Sequence, residues 1–109
     1  MSAAETPASI QAFVDATNRE DADGFLAVFA EDAVLDDRGR KFRGRDQIAE
    51  WSRSDNMGVH SHLTLVSLKP GTEESAFTAT VSVKGNGYNG IGTMTIHVDG
   101  QHIASLVIS

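Results

Sequence analysis

The chain contains no cysteine in 109 residues. Disulfides and thiol chemistry are therefore excluded, and the redox compartment is left open. Positive charge is scarce: nine lysines and arginines face fifteen acidic residues, for a formal net charge of -6. Phosphate binding needs a basic face, so nucleic acid is excluded as the main partner. No membrane or secretory segment is visible. Met1-Ser2-Ala3-Ala4-Glu5 has neither the basic start nor the apolar run of a leader, and a cytoplasmic location is the expectation. Internal repeats and low-complexity stretches are also absent. What is present is ordinary for one soluble globular domain: 22% charged and 40% hydrophobic residues. A chain of this size buries roughly 60–70% of its unfolded surface, enough for one modest core.

The front half reads as helical. Thr6-Pro7 marks a helix start, and Ile10, Phe13, Val14 and Thr17 follow at i, i+3, i+4 and i+7. Arg19-Glu20-Asp21 breaks that pattern, with Asp21 as N-cap of a second helix that carries Phe25, Leu26 and Phe29 inward. Ala33-Val34-Leu35 is a short strand, Asp36 to Arg43 a charged loop around Gly39, and Gly44 caps a third helix with Ile48 and Trp51 on its buried face. After Asn56 the apolar period changes to two. Strands are expected over Val59–Leu68, Ala76–Lys84, Ile91–Val98 and His102–Ile108. Lys69-Pro70-Gly71-Thr72 and Asp99-Gly100 are the turn signals between them. Strands joined in this way make an antiparallel meander, and helices segregated to one side of it make an α+β domain. Apolar residues fall on both faces of these strands, as at Leu65-Val66 and Leu106-Val107-Ile108, which predicts a homodimer through the sheet face.

The run Phe29 to Asp37 followed by Gly44 to Trp51 is the most specific stretch. It sets two adjacent carboxylates at a strand exit between two helices, where a carboxylate beside apolar side chains can serve as a tuned general base. Alternation turns Asp37 to the same side as Ala33 and Leu35, and Asp36 to the other. Asp37 is thus either a pocket base with a raised pKa or a strand-end partner for Arg38, Arg40 or the Trp51 indole N–H. His60 and His62, two apart on an expected strand, share a face and are weaker acid–base candidates. Zinc takes three or four protein ligands and no third is evident, so no metal is expected. His97 and His102 flank the last hairpin and are expected in solvent. Phe13, Phe25, Phe29, Trp51 and Met94 are core residues that can also line a cavity for a small hydrophobic molecule, and Tyr88 lies in a loop over its mouth. Gly85 to Gly92 holds four glycines, but no Lys-Ser/Thr follows and a strand comes next, so it is not a phosphate loop. Arg38, Arg40, Lys41, Arg43 and Arg45 gather five of the nine basic residues, either as an anion site or as a solvated loop among acids.

The Phe-Ala-Glu-Asp-Ala run at Phe29–Ala33 and the Gly-Arg-Asp-Gln-Ile-Ala run at Gly44–Ala49 resemble the nuclear transport factor 2-like superfamily, in its SnoaL-like and ketosteroid isomerase-like branch. The resemblance covers nearly the whole chain. It implies three N-terminal helices packed on a strongly curved antiparallel sheet, forming a cone with an internal cavity. Isomerases, cyclases, hydrolases, dehydratases and non-catalytic modules share that fold, so it does not decide function. By the resemblance, the general base of the isomerases falls on Asp37, their oxyanion tyrosine on Phe13, and their second acid near Gly90 or Ile91. The base position is kept and both donors are missing. Losing one such donor costs roughly 100- to 1000-fold in rate, which argues against authentic ketosteroid isomerisation. No Arg-x-Asp lies on an expected strand to match the superfamily's epoxide hydrolases. The implied function is a small-molecule-binding protein with an apolar cavity; as an enzyme it would be a cofactor-independent isomerase, cyclase or dehydratase on a hydrophobic substrate, with Asp37 as base and a histidine, Tyr88 or water at the oxyanion. The alternative is a non-catalytic binding or dimerisation module.

Overall fold

Three amphipathic helices lay their apolar stripes against one six-stranded sheet. The computed structural model describes residues 6–71, 73 and 75–109. Met1 to Glu5 and the Thr72 end of the expected turn lie outside the described residues. Helix α1 (Ala8–Arg19) buries Ile10, Phe13, Val14 and Thr17, the four positions its periodicity marks. It ends where Glu20 takes a left-handed conformation, φ 56°, and its N–H turns back to the carbonyls of Ala16 and Thr17. Helix α2 (Ala22–Val28) starts at Asp21, whose carboxylate accepts from the Gly24 N–H at 3.0 Å. Helix α3 (Gly44–Trp51) buries Ile48 and Trp51. No helix among the described residues is long and apolar enough to cross a membrane.

The strands are β1 (Phe29–Asp37), β2 (Arg40–Arg43), β3 (His62–Pro70), β4 (Ala76–Lys84), β5 (Gly90–Asp99) and β6 (His102–Ile108), in the order β2-β1-β6-β5-β4-β3. Four strand neighbours pair antiparallel, while β1 and β6 run parallel. The meander expected from sequence covers β3 to β6 only. The sixth strand returns beside the first, and that closure sets its direction. Gly100, at φ 63°, begins the two-residue turn that joins Asp99 to His102.

Three sequence expectations are corrected. β1 is nine residues long rather than three and takes in Phe29, which is buried on the strand and not on α2. Its acidic residues disfavour a strand, but β2 and β6 pair with it on either side, and tertiary pairing overrides propensity. The register against β6 slips between Phe29 and Val34, leaving Glu31 and Asp32 exposed. Second, part of the expected charged loop forms β2, a short hairpin arm whose turn at Arg38 and Gly39 has positive φ at both residues. Third, the segment before β3 is not a strand. It is one π-helical turn (Ser52–Asn56) and one 3-10 turn (Met57–Val59), with β3 starting at His62.

Bulges also revise the argument from two apolar faces. A slip between Leu65 and Ser67 leaves Val66 exposed while Leu65 and Leu68 both pack on the core. A second slip, between His97 and Val98, keeps Val98 and Ile108 against the core. Val66 and Val107 are the exposed members of the set that suggested a covered second face.

Candidate functional site

Phe13, Phe25 and Phe29 meet at the junction of α1, α2 and β1, with ring centroids 5.2–6.2 Å apart. Trp51 stacks on Phe25 at 6.4 Å. This cluster fills one end of the interior. Beside it the sheet and helices leave a pocket of about 450 Å³. Its apolar walls are Phe13, Trp51, Leu63, Val81, Val83, Met94 and Ile108. Its polar lining comes from Asp37, Arg38, Arg40, Ser54, Asp55, Asn56, Ser61 and Thr93, with Tyr88 beside Gly87. A pocket of this size, with mostly apolar walls and a few placed polar groups, suits a small organic molecule.

Asp37 reaches the pocket from the last position of β1, paired with Arg40 on one side and Ile108 on the other. Its Oδ2 accepts from the Trp51 indole N–H at 3.0 Å and from the Arg40 guanidinium at 2.8 Å. Arg40 also binds the Asp55 carboxylate. One guanidinium therefore ties the exit of β1 to the π-helical turn. Arg40 is held more firmly cationic than an ordinary arginine, chiefly by its hydrogen bond to Asp55 and then by that to Asp37. Hydrogen bonds from Arg40 and then from Ser54 hold the Asp55 carboxyl below the usual carboxylate range. Asp37 Oδ1 has no hydrogen bond among the described residues, which leaves one carboxylate oxygen available to a bound molecule. Asp36 faces away, accepting from the Gly39 N–H at 2.7 Å to close the β1–β2 turn.

Tyr88 is half-exposed at the rim. The Arg38 guanidinium lies 4.9 Å from its ring centroid, and its hydroxyl donates to the Ile91 carbonyl at 3.4 Å. Position 90 favours glycine because φ is +153°, and a side chain there would also displace the Tyr88 hydroxyl. Gly58 is the more constrained, because a Cβ would collide with the Arg53 carbonyl across the π-helical turn.

The candidates from sequence divide in two. Asp37, Phe13, Trp51, Tyr88 and Met94 line one pocket. Phe25 and Phe29 do not, since both are packed in the closed cluster. His60 and His62 do not line it either. The shared strand face assumed for them is lost because His60 precedes β3 in a left-handed conformation, φ 55°, with Nδ1 2.9 Å from Glu20. His62 is exposed at the first position of β3. His97 lies 2.7 Å from Glu73 and 3.2 Å from Ser105, away from the pocket. Among the described residues no three His, Asp or Glu side chains gather as a cation site. The arginine-rich stretch does not form one anion site. Arg40 is taken up by two carboxylates, and Arg45 donates to the Phe29 carbonyl at 2.7 and 3.0 Å. Sequence reasoning missed Asn56 and Ser61, which are buried and line the pocket. They carry no periodic signal, and only the irregular turn between them brings them inward.

A profile of the SnoaL-like domain family matches residues 10–106. Curated proteins give no significant sequence match. Solved structures superpose closely at low identity, and each likeness shows the fold. A Sinorhizobium meliloti protein described as a candidate polyketide cyclase is 22% identical with a TM-score of 0.85, covering 95% of each chain. A Mycobacterium sp. Δ5-3-ketosteroid isomerase is 20% identical at 0.79, covering 94% of this chain and 89% of its own. A Mycobacterium tuberculosis protein in complex with estradiol-17β-hemisuccinate is 16% identical at 0.81, covering 95% of this chain and 93% of its own.

Proposed function

The chain belongs to the SnoaL-like domain family, and from that premise we propose that it binds one small, mostly apolar molecule in its pocket, with Asp37 as general base for proton transfer. The observation that carries this reading is the Asp37 carboxylate, with one uncommitted oxygen, set in walls formed by Phe13, Trp51, Leu63, Val81 and Met94. Abstraction of a proton next to an electron-withdrawing group would begin an isomerisation, a cyclisation or a dehydration without a cofactor. The solved neighbours named for cyclase and isomerase activity, and the one holding a steroid ester, have the same fold and fit that range of chemistry.

Steroid isomerisation by the familiar donor set is outside the proposal. Phe13 lines the pocket without a hydroxyl, and Ile91 is 66% exposed. A second reading, binding without catalysis, is favoured by the double engagement of Asp37 Oδ2, which gives that carboxylate a structural task.

Trp51 is the sole tryptophan and lines the pocket, so its fluorescence reports occupancy. Titration with estradiol-17β-hemisuccinate and with 2-acetylnaphthalene is expected to give saturable changes. Proton NMR in deuterated water should then show exchange at the carbon beside the bound ketone. Asp37→Asn should leave binding in place and slow that exchange by about 100-fold or more. Binding with no Asp37-dependent exchange selects the non-catalytic reading, and no saturable binding of either compound overturns both.

The proposal includes a homodimer through the sheet, where Val66, Ile91 and Val107 are exposed. Light scattering at micromolar concentration should report twice the 11.6 kDa chain mass, and a monomer would end that part of it.

A further inference from the structure

We infer that Asn56 and Ser61 form a hydrogen-bond-donating subsite for a carbonyl oxygen of the pocket's occupant. The inference rests on the pocket-binding reading above. It names a polar contact on the wall opposite in character to the Asp37–Arg40–Asp55 group.

Both residues belong to the irregular segment between α3 and β3. Asn56 ends the π-helical turn, and Ser61 stands just before β3. The Ser61 N–H donates to the Asn56 carbonyl at 3.1 Å, closing the segment into a loop that sets the two residues side by side. Asn56 is 3% exposed and Ser61 7%, yet both line the pocket. Buried polar side chains are nearly always hydrogen-bonded. These two are poorly provided for. The Asn56 amide makes one contact, Nδ2 to the Thr17 hydroxyl at 3.5 Å, which is the outer limit of a hydrogen bond. The Ser61 hydroxyl has no partner among the described residues. Ser54, on the same turn, is different: its hydroxyl lies within hydrogen-bond distance of the Glu50 and Trp51 carbonyls and also supports the Asp55 carboxylate, so its one proton is already engaged by neighbouring acceptors.

The chemistry of the pair selects the ligand group. An amide and a hydroxyl carry no charge. Of the charged pocket residues, Asp37, Arg40 and Asp55 are bound to one another, and Arg38 lies against the Tyr88 ring at the rim. An ionised group beside Asn56 and Ser61 would be buried without a counter-charge, which is costly. A neutral oxygen with two lone pairs can accept from the Asn56 N–H and the Ser61 O–H together, and a ketone or ester carbonyl has that form. The same two donors would stabilise the negative charge that develops on such an oxygen when a neighbouring proton leaves. They would thus stand in for the donors missing at Phe13 and near Gly90.

The test uses two probes of matched shape, 2-acetylnaphthalene and 2-ethylnaphthalene, which differ by a carbonyl in place of a methylene. Binding is read from Trp51 fluorescence, and the infrared carbonyl stretch of the bound ketone gives a signature that a purely structural role would not move. In the native chain the stretch should lie at lower frequency than in hydrocarbon solvent. Asn56→Leu should reduce the ketone's advantage over the hydrocarbon by roughly 5- to 10-fold and move the stretch upward. Ser61→Ala should do both to a smaller extent. Should Asn56→Leu fail to fold, Ser61→Ala carries the test alone, with the smaller loss expected in both readouts. Ketone preference and carbonyl stretch unchanged in variants that still bind both probes would overturn the subsite while leaving the pocket reading intact. Failure of the native chain to bind either probe would overturn the subsite, and failure to bind estradiol-17β-hemisuccinate as well would overturn the pocket reading with it.

Discussion

The two ends of the interior are built from the same kinds of side chain, yet one is solid and the other hollow. At the closed end Phe25 of α2, Ile48 of α3 and the sheet residues Phe29, Ile103 and Leu106 are fully buried where the helices meet the sheet. At the open end Leu63, Val81, Val83 and Met94 face a pocket of about 450 Å³. Phe13 and Trp51 belong to both, because each packs on Phe25 and also lines the pocket. What separates the ends is the cover. Regular helices seal one. The other meets the irregular turns from Ser52 to Val59 and the loop carrying Tyr88. Hydrophobicity alone does not tell a core residue from a lining residue, and the element above it does.

Substitutions can break this comparison. The largest effect is expected at the closed end. Phe25→Ala should lose about 3–5 kcal/mol of stability by urea unfolding, since neighbours on every side cannot collapse into the space. Met94→Ala should lose clearly less, because Met94 already borders empty volume. Equal losses would mean that the two ends are packed alike. Trp51→Phe probes the shared wall. It keeps a ring against Phe25 and removes the indole N–H that Asp37 accepts, so a loss of about 1–2 kcal/mol is expected by circular dichroism melts. A neutral result would show that Arg40 alone suffices to hold the carboxylate.

The smallest effect concerns Asp55 at the rim. Arg40 holds its carboxyl below the usual range, so its value in the folded state lies under that in the unfolded chain. Its contribution is therefore complete above the ordinary carboxylate range, near about 4, and is lost as pH falls through the folded value. The gap in Tm between the native chain and Asp55→Asn should be small at neutral pH, as for exposed pairs generally, and should close in strong acid. A gap that widens on acidification would contradict the pairing.

The regular part of the fold was legible from residue pattern. The buried stripe Ile10, Phe13, Val14, Thr17, the Asp21 cap and strands Ala76–Lys84 and His102–Ile108 all lie where periodicity and capping put them. So was the contact between Asp37 and Trp51, which follows from a buried indole needing an acceptor near a strand-end acid. The π-helical turn was not legible, because no residue type signals it, and with it went the placement of His60, Asn56 and Ser61. Nor was β2, whose Arg-Lys-Phe-Arg sequence forms a strand only because β1 offers it an edge.

The parallel pairing of β1 with β6 has a kinetic meaning. Asp37 lies opposite Ile108, a neighbour separated from it by most of the sequence. Such a contact is expected to form after the intervening hairpins, which shorten the loop that the pairing must close. The helices and the β3–β6 hairpins are local and can form early. The strand that presents Asp37 is secured only when the sheet closes on itself. The pocket is therefore expected among the last parts of the molecule to be assembled, and stopped-flow refolding should be slow for a chain of this length, in the range of milliseconds to seconds typical of sheets dominated by distant pairings.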